Sequence, residues 1–153
     1  MRLPIRILVV RNHLFTNLMN YTSNIAVKKL AMKFLKSFMY ALQGIRYCCV
    51  FERNFRVQLA MTAVTIFSGL RFQISAIDWM AILICLALVL GFEMVNTSIE
   101  KLADTITTSL HPSIKQIKDI AAGAVCLAAI FSSVIGCIIF IPKLLPLIKH
   151  LTK

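Results

Sequence analysis

The sequence is short of acid. Six Asp and Glu stand against 17 Lys and Arg in 153 residues, and charged residues make up only 15% of the chain. Soluble domains of this length carry about 25% charge and about 45–50% apolar residues. Here the apolar share is 59%, with a mean hydropathy of +0.81. An ordinary soluble domain is excluded, and lipid is the fitting solvent. Glycine and proline are sparse and no stretch alternates as a strand does, so helices are expected throughout. The five cysteines, at 48, 49, 85, 126 and 137, form no CxxC pair, which argues against a zinc site or a disulfide framework. No GxxxxGKS or GxxxxGKT run and no protein-kinase signature is present, so the familiar soluble nucleotide folds are out. A net charge of +11 suits either nucleic acid or an anionic membrane surface. The basic–aromatic interleaving of single-strand binders is missing, so no nucleic-acid partner is expected.

What is there reads as membrane helices. A bilayer core takes about 20 apolar residues at about 1.5 Å each. Ile120 to Ile141 carries no charge, and Pro142 is expected to stop it. A second span starts at Trp79 and runs uncharged to Phe92, where it meets Glu93. Val57 to Leu70 is shorter, and Phe72 to Ile77 is expected to lengthen it past Arg71. Upstream, Phe34, Phe38, Leu42, Ile45 and Cys49 recur every three or four residues, with Lys33, Lys36, Gln43 and Arg46 mostly off that face. Lys33 to Val50 is therefore read as an amphipathic helix on the membrane surface. The expected fold is an all-α integral membrane protein: an N-terminal amphipathic surface helix plus three transmembrane helices.

Residues 1–32 form a basic N-terminal extension, residues 33–143 the membrane domain and residues 144–153 a short basic tail. The extension is not a signal peptide, because Ile7–Val10 is too short an apolar core and Arg11 ends it. It is read as membrane-touching or as the product of a misplaced start, with Met32 opening the functional unit. Residues 1–56 and the 101–118 loop hold 13 Lys and Arg, against four at Arg71, Lys143, Lys149 and Lys153. That bias puts the N-terminus and the loop in the cytoplasm.

With so few acids, their positions carry the functional signal. Glu93, Asn96, Glu100 and Asp104 are spaced three, four and four apart. At about 100° per residue their side chains fall within about 80° of one helix face. Counted from Trp79, Glu93 lies about 21 Å along a core of about 30 Å, near the inner boundary. A carboxylate at that depth is costly unless paired, hydrated or protonated, which makes a functional role the default. Glu52 and Asp119, beside Lys118, complete a ring on the cytoplasmic side. Asp78 stands alone on the other side and is read as the N-cap of the second span.

Two Glu gathered at one interface suit Mg²⁺, a hard cation that takes oxygen ligands alongside substrate phosphates. A third, partly desolvated, suits accepting a proton from an alcohol. Lys118, helped by the first N–H groups of the third span, suits phosphate charge. The set points to phosphoryl transfer. A proton-coupled transporter would instead place one acid near mid-membrane, and a small adaptor has no use for the stripe. Ala124, Ala128, Ser132 and Gly136 recur every fourth position, a spacing that lets helices approach closely, within one chain or between chains.

The segment EMVNTSIEKLAD, with FERNF before it and IKDIAAGAV after it, resembles the prokaryotic diacylglycerol kinase family, which includes undecaprenol kinases. The similarity covers about residues 33–143. It implies one surface helix and three transmembrane helices in the bacterial inner membrane, homotrimers with active sites shared between protomers, and Mg²⁺-dependent transfer of the ATP γ-phosphate to a lipid alcohol. Carried over, Glu93 is the general base and Glu52 and Glu100 are the metal pair. Lys118 and Asp119 sit at the nucleotide together with Asp104, and Lys33 and Tyr40 approach ATP. Asn96 orients the base or a phosphate oxygen, and Arg56 and Gln58 lie on the lipid side. Members often carry an acidic–aromatic–His triplet at the adenine. Here it reads Ser109-Leu110-His111, and only His111 survives. The ERNF and IIFIPKL segments resemble the undecaprenol kinase branch more than the diacylglycerol kinase branch, so undecaprenol is the expected substrate and diacylglycerol the alternative.

Overall fold

A computed structural model describes the backbone of residues 5–106 and 111–151 and the side chains of residues 27–106 and 111–145. Four helices follow one another: α1 (Ile5–Phe51), α2 (Arg53–Arg71), α3 (Ala76–Ile106) and α4 (Pro112–Leu151). No strand occurs among the described residues. The chain divides into two units, Met1–Gly44 and Ile45–Lys153. In the first, the described side chains of α1 are exposed. The helix there extends well upstream of Lys33, where the surface helix was expected to begin. Between Pro4 and Phe51 there is no proline and only one glycine to stop it.

In the second unit α3 packs against both α2 and α4, whose backbones stay apart from each other. Two helices, α3 and α4, are long and apolar enough to cross a membrane. Their apolar windows are only 17% and 0% buried within the chain. A soluble core helix hides such a surface; these leave it open, as a bilayer permits. This is a membrane protein. α2 does not reach the same apolarity among the described helices, because Gln58, Thr62, Thr65 and Ser68 interrupt it.

The expected extension of α2 through Phe72–Ile77 does not form. The Ile74 N–H bonds the Gly69 carbonyl at 3.2 Å and the Gln73 N–H bonds the Leu70 carbonyl at 3.4 Å, with Gln73 left-handed at φ 48°. This is a Schellman ending, which satisfies the last carbonyls and turns the chain back. α3 then opens with a capping box. The Ser75 hydroxyl accepts from the Asp78 N–H at 3.2 Å, and the Asp78 carboxylate accepts from the Ser75 N–H and hydroxyl at 3.1 and 2.8 Å. Ser75 is therefore the cap, and Asp78, expected in that role, closes the box three residues later.

The turn is sealed by packing. Ile74, Ile82 and Ile139 are buried together, with Phe72, Trp79, Leu86 and Phe140 around them. At Gly69 a Cβ would stand 2.8 Å from the Trp79 ring, so only glycine lets the indole lie on α2. Pro142 does not end α4, which runs on to Leu151. A helix tolerates proline where its freed backbone groups find other partners, as membrane helices commonly do. The small-residue stripe borders hollows between α3 and α4: Ala124, Ala128 and Ser132 face Ala81, Cys85 and Leu88.

Candidate active site

At the other end of α3 the acids gather their partners. Glu93 is 4% exposed, and its Oε2 accepts a hydrogen bond from Gln58 Nε2 on α2 at 2.9 Å. Glu93 has a neutral amide as partner, and the ion pairs among the described residues are Lys101–Glu52 and Lys118–Asp104. A buried carboxylate held by one amide has lost most of its hydration without gaining a cation, a costly state that a site retains for chemistry.

One turn on, Asn96 is 6% exposed and its Nδ2 donates to Glu100 Oε1 at 2.9 Å. This is the i, i+4 pairing that the stripe spacing allows. Two oxygens remain without a partner in this buried region, Gln58 Oε1 and Asn96 Oδ1. Buried acceptors left unpaired are rare, and they mark a place where something else bonds.

Glu52 occupies the break between α1 and α2. Its backbone is extended (φ −99°, ψ 116°), the geometry of an N-cap, yet its carboxylate makes no cap bond. It reaches instead to Lys101 Nζ on α3, at 3.3 Å. Lys101 also stands over the Tyr47 ring, 5.2 Å from its centre. Cys48, one turn before Glu52, is buried. Burial pushes its thiol above the ordinary range, and the nearby charges of Glu52, Cys49 and Glu93 push the same way.

Asp104, at the end of the stripe, is bonded by Lys118 Nζ from α4. α3 therefore meets α2 at Glu93, the α1–α2 break at Lys101, and α4 at Asp104. Lys118 was expected beside the first N–H groups of its helix, but α4 opens six residues earlier, at Pro112. There His111 caps it: its Nδ1 accepts from the Ser113 N–H at 3.3 Å, and Pro112 takes the first helical position. Asp119 is exposed on α4, and Arg56 is exposed with its Nη1 donating to the Val50 carbonyl at 3.1 Å. Lys33 and Tyr40 belong to the Met1–Gly44 unit and are exposed there. Ser109 and Leu110 lie outside the described residues.

Lys101, Tyr47 and Cys48 were not foreseen as part of this region. Lys101 belongs to the positively charged 101–118 loop of the topology argument, and nothing in its spacing names Glu52 or Tyr47 as a neighbour.

No group of three or more Asp, Glu, His or Cys gathers to hold a metal among the described residues. The donors present are nevertheless all oxygen: Glu100, Glu52 and the unpartnered Asn96 Oδ1. Mg²⁺ commonly takes one or two carboxylates and completes its shell with water and substrate phosphates, so this donor set fits it. Beside Gln58 an apolar trough of about 310 Å³ opens between α2 and α4, floored by α3. Val57, Met61, Thr65, Val89 and Phe140 line it. The Gln58 amide that bonds Glu93 thus stands at the edge of this apolar trough.

Residues 39–140 match the family model described as prokaryotic diacylglycerol kinase. The chain is 41% identical over 112 residues to a Bacillus subtilis (strain 168) protein named undecaprenol kinase, covering 73% of this chain and 91% of that one. It is 37% identical over 122 residues to a diacylglycerol kinase of Synechocystis, covering 78% and 69%. A Helicobacter pylori (strain 26695) diacylglycerol kinase is 30% identical over 105 residues, covering 67% and 80%. With its acid stripe, its lone buried glutamate and its apolar helices inside the matched region, the chain belongs to the prokaryotic diacylglycerol kinase family.

Proposed function

We propose that this chain transfers the γ-phosphoryl group of ATP to the primary hydroxyl of undecaprenol. As a member of the family it is a lipid kinase; the lipid, the residue roles and the assembly are this proposal. The observation that carries it is the Gln58–Glu93 bond at the head of the apolar trough. A prenyl chain lying in the trough brings its terminal hydroxyl to the buried carboxylate. Glu93 takes the hydroxyl proton as the alcohol oxygen bonds to the γ-phosphorus and the bridging bond to ADP breaks. Gln58 keeps the carboxylate aimed, and Arg56 lies on the lipid side.

Glu52 and Glu100 would hold Mg²⁺, which supplies charge neutralisation on the phosphates when bound. Asn96 orients Glu100 and offers its free oxygen to the same region. Lys118 neutralises phosphate charge, releasing Asp104 as it does so, and Asp119, His111, Lys33 and Tyr40 serve the nucleotide. Positioning and charge neutralisation carry most of such a reaction, which suits a site built from few groups.

The reading includes a surface helix and three transmembrane helices, with α2 as the third. Its 19 residues reach about 28 Å. The active site and N-terminus face the cytoplasm of a bacterial cell, and the functional unit is a homotrimer whose sites are shared between protomers. The large apolar area left open on α3 and α4 supports contact with lipid or with further copies.

Undecaprenol is favoured because the relative of that name is 41% identical over nearly its whole length, against 37% for the Synechocystis diacylglycerol kinase over 69% of its own. Diacylglycerol is the second reading. The test is purified protein in mixed micelles with labelled ATP and each lipid in turn. Faster labelling of undecaprenol is expected. Faster labelling of diacylglycerol overturns the substrate, and no labelled lipid overturns the kinase reading.

A further inference from the structure

We infer that Lys101 is a resident counter-ion for Glu52, holding that carboxylate until a divalent cation takes it and then resting on the Tyr47 ring. The inference rests on the reading of Glu52 as a metal ligand and adds how that ligand is kept before the metal arrives. Four observations converge. Glu52 stands in N-cap geometry but declines the local cap bond and reaches across to another helix. Its partner, Lys101, directly follows Glu100, the other expected ligand. The ammonium already lies over Tyr47, 5.2 Å from the ring centre, and that ring is braced by Phe51 at 4.9 Å. Lys101 is 55% exposed at its side chain and Glu52 22%, so the pair is in contact with solvent, where an ion pair is weak.

The chemistry follows from charge. A lone ammonium satisfies Glu52 with one weak contact, whereas a divalent cation binds it together with Glu100. Once the cation is seated, the ammonium beside it is repelled, and the face of Tyr47 offers an alternative that a neutral side chain would not use. Lys101 is thus a positioning residue. It keeps Glu52 aimed toward α3 in the empty site at the expense of some metal affinity, because the metal must displace it.

The experiment titrates the full chain in detergent micelles with Mn²⁺, without nucleotide, reading free Mn²⁺ by electron paramagnetic resonance. Lys101→Gln is expected to bind Mn²⁺ about two- to fivefold more tightly than the parent, the range given by removing one exposed ion pair. Lys101→Arg, which keeps the charge, is expected to match the parent. Raising the salt concentration is expected to shrink the gap between Gln and Lys, because screening weakens the pair. Unchanged or weaker Mn²⁺ binding in Lys101→Gln overturns the counter-ion role. Glu52→Gln separates the two readings. If it weakens Mn²⁺ binding while Lys101→Gln changes nothing, the counter-ion role alone fails. If Glu52→Gln leaves binding unchanged, Glu52 is not a ligand and both readings fall.

Discussion

The two ends of α3 are built on opposite terms. At the Ala76 end nearly every polar group has its partner. The Schellman bonds close α2, Ser75 and Asp78 cap each other, and Trp79 fills the notch at Gly69 over Ile74, Ile82 and Ile139. At the other end Glu93 is buried on a neutral amide, and Gln58 Oε1 and Asn96 Oδ1 have no partner. The first end satisfies its own chain. The second keeps acceptors in reserve, a state that costs stability and makes sense only if a substrate, a proton or a metal completes it. Damage to the turn end should therefore lower stability and spare chemistry, and damage to the acid end should do the reverse.

The largest expected effect tests the acid end. Glu93→Gln should cut turnover on the lipid by at least about 10²-fold, the scale of a lost general base. Its thermal unfolding midpoint should hold or rise, since a buried unpaired charge is removed. Near-normal turnover would remove Glu93 as the base, and a collapsed midpoint would make it structural. Gly69→Val comes next, at the turn end. The added carbons meet the Trp79 ring, and overpacking of this kind costs about 1–3 kcal/mol. The unfolding midpoint in detergent should drop while the activity of the folded fraction stays near the parent value. An equal loss of both would blur the division between the ends. Ser75→Ala should cost about 1 kcal/mol by removing the cap of α3, again without a change in turnover. The smallest effect has the opposite sign. Gln73→Gly places a residue at ease in the left-handed position and should stabilise by about 0.5 kcal/mol. Denaturant midpoints on paired samples would show it.

Much of this division was legible along the chain. The 93–96–100–104 spacing placed four side chains on one helix face, and Asn96 does bond Glu100 across one turn. The apolar runs marked α3 and α4 as the membrane-spanning candidates. Boundaries were less legible. A proline at 142 looks like a stop by local rules, yet α4 passes through it. The Phe72–Ile77 stretch is apolar enough to extend a span, but its hydrophobicity serves the turn core instead. Composition cannot tell a lipid-facing Phe from one folded back on its neighbour.

The sequence by itself determined the solvent, the helical class and the carboxylate face, because these depend on composition and on the fixed period of the helix. Only the tertiary structure decided which partner each acid receives. Gln58 meets Glu93 across 35 positions, Lys118 meets Asp104 across 14, and Lys101 on α3 meets Glu52 at the break between α1 and α2. Those pairings depend on how α2 and α4 lie against α3 and on where the α1–α2 break falls, and no local spacing encodes either. The same packing separates the buried Glu93, left on a neutral amide, from Glu52 and Asp104, each met by a lysine, and that difference in environment sets their chemistry apart.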